Sequence, residues 1–164
     1  MYKRQFPAQS VVFEVTETAV IETFKRMSEV FDLLQANNFR LALDDFGKGF
    51  SSLNYLTRIP VSILKIDKSF TDRLTPNTKE ETIIKTIHYL CENLNIDCIV
   101  EGVEHDNQFE QLRTLSFTKM QGFYFSKPQS VNEMAAYLLN QSIGSKAHNS
   151  DVITPLSFSN RRKH

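Results

Sequence analysis

The sequence predicts an α/β fold in which about five βα units form part of a TIM-type (β/α) barrel. Short β-branched runs alternate with amphipathic segments five times along the chain, and this alternation is typical of a parallel sheet with helical crossovers. Four apolar runs also end close to acidic residues, at Glu14, Asp44, Asp67 and Glu101. Charges at strand ends are costly unless they have a partner or a function, so we expect them to share the carboxyl-end face where barrel enzymes have their active sites. A closed barrel needs eight units and about 250 residues, which predicts a partial barrel here.

The first half of the chain contains three predicted strands and two predicted helices. Residues 11–15 are mostly β-branched or aromatic, which favours a strand. A helix capped by Thr18 and ended by Asn37-Asn38 is predicted because apolar residues follow at helical spacing; they are Val20, Phe24, Met27, Phe31 and Leu34. Two further apolar runs predict strands at 39–43 and 61–66, with a short helix at 51–56 and Pro60 between them.

The second half continues the alternation. Thr78 and Glu81 have capping-box spacing before a helix with an apolar face, and residues 97–100 form the next predicted strand. Asp106 is predicted to cap the following helix. A short strand at 118–121 and a helix from a second capping box at 130–133 to about Leu139 complete the pattern. We therefore divide the chain into a domain at 1–140 and a polar tail at 141–164 that is expected to be disordered.

Composition narrows the functional classes. The 19 basic and 19 acidic residues balance, and the sequence offers no general electrostatic attraction to DNA or a membrane. No signal peptide and no run of about 20 apolar residues is found, so a cytoplasmic location is expected. Cys91 and Cys98 have neither disulfide-framework nor metal-ligand spacing and are interpreted as buried thiols in a reducing compartment.

The residues at the strand ends form a predicted cluster of carboxylates with one lysine, Lys65, a combination that suits divalent metal and phosphate chemistry. Other interpretations remain open from the residues alone. Asp44-Asp45 can be a helix cap and a turn residue, Lys65 can point to the surface, and Glu101 can be a solvated strand end. Consecutive aspartates on a strand point to opposite faces, so both can serve one site only if the strand has ended, which Gly47 and Gly49 favour.

Five motifs, in order and at similar spacing, resemble the EAL domain family, which hydrolyses the bacterial second messenger cyclic di-GMP. The resemblance covers about residues 8–140. The motifs are Phe13-Glu14-Val15-Thr16-Glu17, Leu41-Ala42-Leu43-Asp44-Asp45-Phe46-Gly47-Lys48-Gly49-Phe50-Ser51-Ser52-Leu53, Leu64-Lys65-Ile66-Asp67-Lys68-Ser69-Phe70, Glu101-Gly102-Val103-Glu104 and Gln121-Gly122-Phe123-Tyr124-Phe125-Ser126-Lys127-Pro128.

The resemblance implies a role for each candidate residue and a two-metal site with Mg²⁺ or Mn²⁺. Glu14, Asp44 and Asp45 correspond to metal ligands. Lys65 corresponds to the lysine that stabilises the water or the phosphate, and Glu101 to the residue that orients or deprotonates the attacking water. The implied supporting residues are Glu17, which anchors the Asp44-Asp45 loop, and Asp67, Glu104 and Gln121, which lie around the edge, or rim, of the site.

The sequence also departs from the family pattern. The glutamate of the Glu-Ala-Leu motif and a ligand asparagine correspond to a region upstream of Met1, Lys48 replaces a threonine, and Ser116-Phe117-Thr118 replaces a Gly-Cys-Asp-like segment. We therefore expect an N-terminally truncated domain with weak or no hydrolytic activity. The alternative is a non-catalytic remnant that binds cyclic di-GMP or a protein. Open strand edges at Val12 and Met120 would favour a homo-oligomer or a protein partner.

Overall fold

Strands and helices alternate along the chain as in a parallel βα protein. The structure is a computed structural model that describes residues 7–48 and 56–144. A 3-10 turn at Ala8–Ser10 precedes the regular elements. Within the described ranges these are β1 (Val12–Thr16), α1 (Glu17–Ala36), β2 (Arg40–Phe46), β3 (Ile63–Ile66), α2 (Lys68–Thr71), α3 (Lys79–Leu94), β4 (Asp97–Val100), α4 (Asp106–Thr114) and α5 (Val131–Gly144).

The four strands form one parallel sheet in the order β1-β2-β3-β4, so neighbours in sequence are neighbours in space. The predicted fifth strand is reduced to a single parallel bridge between Val100 and Met120. The amide of Gln121 donates to the Val100 carbonyl at 2.8 Å, which keeps this segment beside β4. The architecture is thus the expected partial (β/α) barrel.

Side chains of alternate strand residues divide between two faces. The face towards the helices contributes to the main apolar core, where Leu64 and Ile66 are fully buried. The opposite face carries a smaller buried cluster of Ala42, Ile63 and Ile99. Burial of each large apolar side chain contributes about 1.5–3 kcal/mol. Because β3 is buried on both faces, polar groups at its end have little access to water.

Several predicted element ends differ from the structure. Thr16, not Thr18, caps α1, because β1 extends to Thr16 and the helix begins at the next residue; the Thr16 hydroxyl accepts from the Ala19 amide at 3.3 Å. His105, not Asp106, is the N-cap of α4, and the Gln108 side chain accepts from the His105 amide at 3.0 Å.

The two predicted capping boxes have different outcomes. Ser130 and Glu133 form a reciprocal box, with the Ser130 amide 2.8 Å from a Glu133 oxygen. At Thr78 the hydroxyl accepts from the Glu81 amide, as expected, but the Glu81 carboxylate accepts from the Asn77 amide instead.

The last helix continues past its predicted end at Leu139 to Gly144, since nothing before the glycine breaks a helix. The remainder of the predicted tail, 145–164, and most of the predicted short helix at 51–56 lie outside the described residues. Within the part of the chain that is described, no helix has the length and apolar character needed to cross a membrane.

Candidate active site at the carboxyl ends of the strands

Three carboxylates converge on one ammonium group at the carboxyl ends of the strands. The Lys65 Nζ atom lies 2.8 Å from Glu101 Oε1, 3.2 Å from Asp44 Oδ1 and 3.3 Å from Glu14 Oε2. The Lys65 side chain is only 4% exposed. We call Glu14, Asp44, Lys65 and Glu101 the carboxylate cluster.

The register of the sheet explains why these four residues meet. Glu14 is paired with Ala42, and Lys65 with Ile99. Since side chains alternate along a strand, Glu14, Asp44, Lys65 and Glu101 extend the face that already carries the small cluster of Ala42, Ile63 and Ile99. Each strand therefore places one charged residue next to this small apolar cluster, on the same face of the sheet.

A bulge in β2 places two aspartates opposite one lysine. Leu43 pairs with Leu64 and Phe46 with Ile66, so two residues of β2, Asp44 and Asp45, oppose the single Lys65 of β3. Asp45 has φ of 58°, a left-handed conformation that aspartate tolerates better than most residues. We predicted that the strand ends before Asp45. In the structure it continues to Phe46. A bulge within the strand breaks the alternation; a turn follows at Gly47, and Gly49 lies outside the described residues.

The charges of the cluster change the protonation equilibria of its members. Burial lowers the pKa of Lys65, but the hydrogen bond and charge of Glu101, with the charges of Asp44 and Glu14, outweigh it, and the net pKa is raised. Burial raises the pKa of Glu101; Lys65 opposes this effect, while Asp44 and Glu14 add to it, and the net pKa is raised. The lysine is therefore firmly cationic, and Glu101 holds a proton more readily than an exposed glutamate.

Asp45 and Asp67 form a second acidic group beside the carboxylate cluster. The exposed Lys48 ammonium lies 3.5 Å from Asp45 Oδ1 and 3.9 Å from Asp67 Oδ2. Asp67 is the N-cap of α2 and accepts from the Ser69 amide at 2.9 Å. Burial raises its pKa, but the Ser69 hydrogen bonds and the Lys48 charge outweigh this, so the pKa of Asp67 is lowered.

The remaining candidates lie around this face and not in the cluster itself. A Glu17 oxygen accepts from the Gly47 amide at 3.1 Å, which ties the start of α1 to the loop after Asp45. Glu104 pairs with Lys68 at 2.6 Å. Gln121 is half-buried and its main chain accepts from the Val103 amide at 3.1 Å.

Lys68 and Gly102 are two residues that our sequence reasoning did not assign to the site. Gly102 has φ of 71°, and a Cβ atom there would overlap the Lys68 side chain. The glycine therefore lets Lys68 cross the loop between Glu101 and Glu104 and reach the Glu104 carboxylate. A glycine between two acidic residues after a strand was the available signal.

The donor atoms of the cluster have the chemistry that divalent metals require, but their arrangement is incomplete. Carboxylate oxygens are the preferred ligands of Mg²⁺ and Mn²⁺. In residues 7–48 and 56–144, however, no three His, Cys, Asp or Glu side chains are placed so that they could hold a metal ion. The cation at the centre of the carboxylates is the Lys65 ammonium. The described residues therefore fit a metal in ligand type and not in placement.

The fold and the cluster define a parallel βα protein with an acidic site at the carboxyl ends of its strands. A family model for the EAL domain matches residues 1–128, and the chain belongs to the EAL domain family. It is 38% identical over 123 residues to the cyclic di-GMP phosphodiesterase PdeB of Shewanella oneidensis, covering 75% of this chain and 14% of that protein.

Solved structures agree with this assignment. The EAL domain of Mycobacterium smegmatis DcpA superposes with a TM-score of 0.76 at 32% identity, covering 82% of this chain and 60% of that one. A manganese and cyclic di-GMP complex of Klebsiella pneumoniae BlrP1 gives a TM-score of 0.72 at 33% identity, covering 75% and 31%. The chain spans 14% to 20% of the length of the first curated relatives that it matches.

Proposed function

We propose that the carboxylate cluster is a binding site for cyclic di-GMP. It is the kind of site that hydrolyses one phosphodiester bond of this molecule to give the linear dinucleotide. The observation that carries the proposal is the convergence of Glu14, Asp44 and Glu101 on Lys65 at the carboxyl ends of parallel strands. Membership of the EAL family and the cyclic di-GMP activity named for the relative PdeB support this substrate.

Each member of the site has a chemical role in this proposal. The Lys65 ammonium stabilises negative charge on the phosphate or on the attacking water. Glu101, whose pKa is raised by burial, accepts the proton of that water, because a base titrates most usefully near the working pH. Glu104 and Gln121 line the rim, and Glu17 holds the loop that carries Asp45 through its bond to Gly47.

Glu14, Asp44 and Asp45 are the residues that would ligate Mg²⁺ or Mn²⁺. A bound divalent metal would supply an activated water and neutralise phosphate charge. The manganese complex of the relative BlrP1 supports a divalent metal in general. Because no three metal-binding side chains among the described residues are placed so that they could hold a metal ion, we expect this chain alone to bind metal poorly and to hydrolyse cyclic di-GMP weakly or not at all.

Two assays on the purified chain test the proposal. Binding is measured with fluorescent cyclic di-GMP, with cyclic di-AMP as the specificity control; hydrolysis is measured with Mg²⁺ or Mn²⁺ against an Asp44→Asn variant. We expect saturable binding of cyclic di-GMP and no turnover above the variant. Absence of binding would contradict the assignment of the site. Turnover that Asp44→Asn abolishes would support the site and contradict the expected weak activity.

A second candidate function is a non-catalytic module that binds a protein or a second copy of the chain. The observation that favours it is the edge of the sheet: among the described residues β1 pairs with β2 alone, and Val12 and Phe13 are 37% and 43% exposed. An open strand beside apolar side chains favours association. Sedimentation equilibrium tests association with a second copy, and a monomer that unfolds cooperatively would contradict it; a pull-down tests binding of another protein.

A further inference from the structure

The two cysteines lie on either side of a short connection between a helix and a strand. Cys91 is near the end of α3, and Cys98 is the second residue of β4. Asn95 ends the helix in a left-handed conformation with φ of 55°, and the Ile96 amide donates to the Cys91 carbonyl at 2.9 Å. This turn folds the strand back onto the helix, so that both cysteines line one cavity and their thiols are close enough to affect each other's pKa.

A cavity gives small molecules access to this pair. Its volume is about 220 Å³, it opens to solvent, and both cysteines line it together with His88, Asp97 and Lys119. Cys91 is buried and Cys98 is partly buried. Because Cys91 is buried and Cys98 is only partly exposed, a compact reagent has better access to them than a bulky one.

We propose that Cys91 and Cys98 are a peroxide-sensitive dithiol that closes to an intramolecular disulfide. The Cys91 thiolate attacks one oxygen of hydrogen peroxide, giving a sulfenic acid and hydroxide, which takes up a proton to become water. The Cys98 thiol then attacks the Cys91 sulfur, forming the S–S bond and releasing a second water. In total two thiols lose two electrons and two protons, and one peroxide is reduced to two waters.

The electrostatics of the pair favour this order of events. The hydrogen bond from Cys98 lowers the pKa of Cys91, although burial opposes it. The same contact and burial raise the pKa of Cys98. We therefore assign Cys91 as the nucleophile and Cys98 as the thiol that resolves the sulfenic acid. Two thiols that line the same small cavity need little movement to reach disulfide geometry.

The dithiol is separate from the carboxylate cluster. Cys98 is near the start of β4, whereas Glu101 follows the end of the same strand. The inference therefore does not depend on the proposed activity towards cyclic di-GMP, and its test needs no substrate.

The test uses the full chain, hydrogen peroxide and mass spectrometry. After treatment and alkylation of free thiols, we expect the intact mass to fall by two hydrogens, with no alkylation of either cysteine. No Lys or Arg lies between Lys85 and Arg113, so trypsin leaves both cysteines on one peptide. Cleavage after Glu92 separates them. The two fragments should stay joined until dithiothreitol is added.

Single substitutions identify the nucleophile. In Cys98→Ser we expect Cys91 to stop at the sulfenic acid, which dimedone captures. In Cys91→Ser, Cys98 should remain an alkylatable thiol under the same treatment. The wild-type result does not depend on whether these variants fold. Two thiols that stay free in the wild type, oxygen added to one cysteine without a link, or a link between two chains would each overturn the proposal.

Discussion

Replacing Lys65 with methionine should strongly destabilise the fold, because three carboxylates would lose their shared cation. At an effective dielectric constant of about 20, one ion pair at such distances has a gross attraction of about 5–6 kcal/mol. Desolvation of the lysine and repulsion among the carboxylates offset most of the summed attraction of the three ion pairs. Removal of one partner from a buried pair costs about 3–5 kcal/mol, and we expect a loss in this range because the Lys65 side chain is 4% exposed.

Urea unfolding at neutral pH measures this loss. With a slope of about 2 kcal/mol per molar urea, the midpoint of Lys65→Met should fall by about 1.5–2.5 M. Lys119→Met is the matched control, because Lys119 also pairs with an acidic residue, Asp97, but its side chain is 30% exposed. For such a partly exposed pair we expect a loss of no more than about 1 kcal/mol.

The pH dependence gives an independent check on the cause. Without Lys65, the pKa of Glu101, already raised by burial, should rise further. A carboxyl whose pKa is raised by folding costs stability at high pH, and this cost disappears as the pH falls and the group is protonated. The penalty of Lys65→Met should therefore be smaller at about pH 4 than at about pH 8. Equal losses for Lys65→Met and Lys119→Met, or a penalty that does not change with pH, would refute the reasoning.

Two further predictions concern packing and the amino ends of the strands. Gly122→Ala should lower stability by about 1–3 kcal/mol, because a Cβ atom there would overlap the Val103 backbone; a thermal melt like that of the wild type would contradict this. Asp97→Asn should cost about 1 kcal/mol near neutral pH, a discounted value because the side chain is 39% exposed. Burial raises the pKa of Asp97, but Lys119 and Arg40 lower it below its ordinary value of 3.8. The contribution is therefore present above that value and lost in acid, so urea midpoints of Asp97→Asn and wild type should converge there; a gap that persists would argue against the ion pairs.

Much of the architecture could be predicted because local signals agree with the tertiary structure. The strand at 97–100 has the predicted bounds, and the strands follow one another across the sheet in chain order. The helix starts were less predictable. Thr16 and Thr18 are equally good caps by composition, and the length of β1 decides between them.

The candidate site, too, could be predicted from the sequence only in part. The sequence predicted a cluster of carboxylates with Lys65 at the strand ends, but not that the Lys65 ammonium would pair with Glu14, Asp44 and Glu101 together. That arrangement depends on which strand residues face each other. The cavity that Cys91 and Cys98 share was not predicted either, because it depends on the left-handed turn at Asn95 and the return of β4 onto α3.

The sequence by itself determined the order of strands and helices, the parallel sheet and the charges at the strand ends, because these follow from apolar periodicity and local turn chemistry. Only the tertiary structure decided how those charges meet. One additional residue in β2, the bulge at Asp44 and Asp45, brings two aspartates opposite Lys65. The register between strands that creates this bulge is a long-range property, set by packing of both faces of the sheet, and no short segment of the sequence contains it.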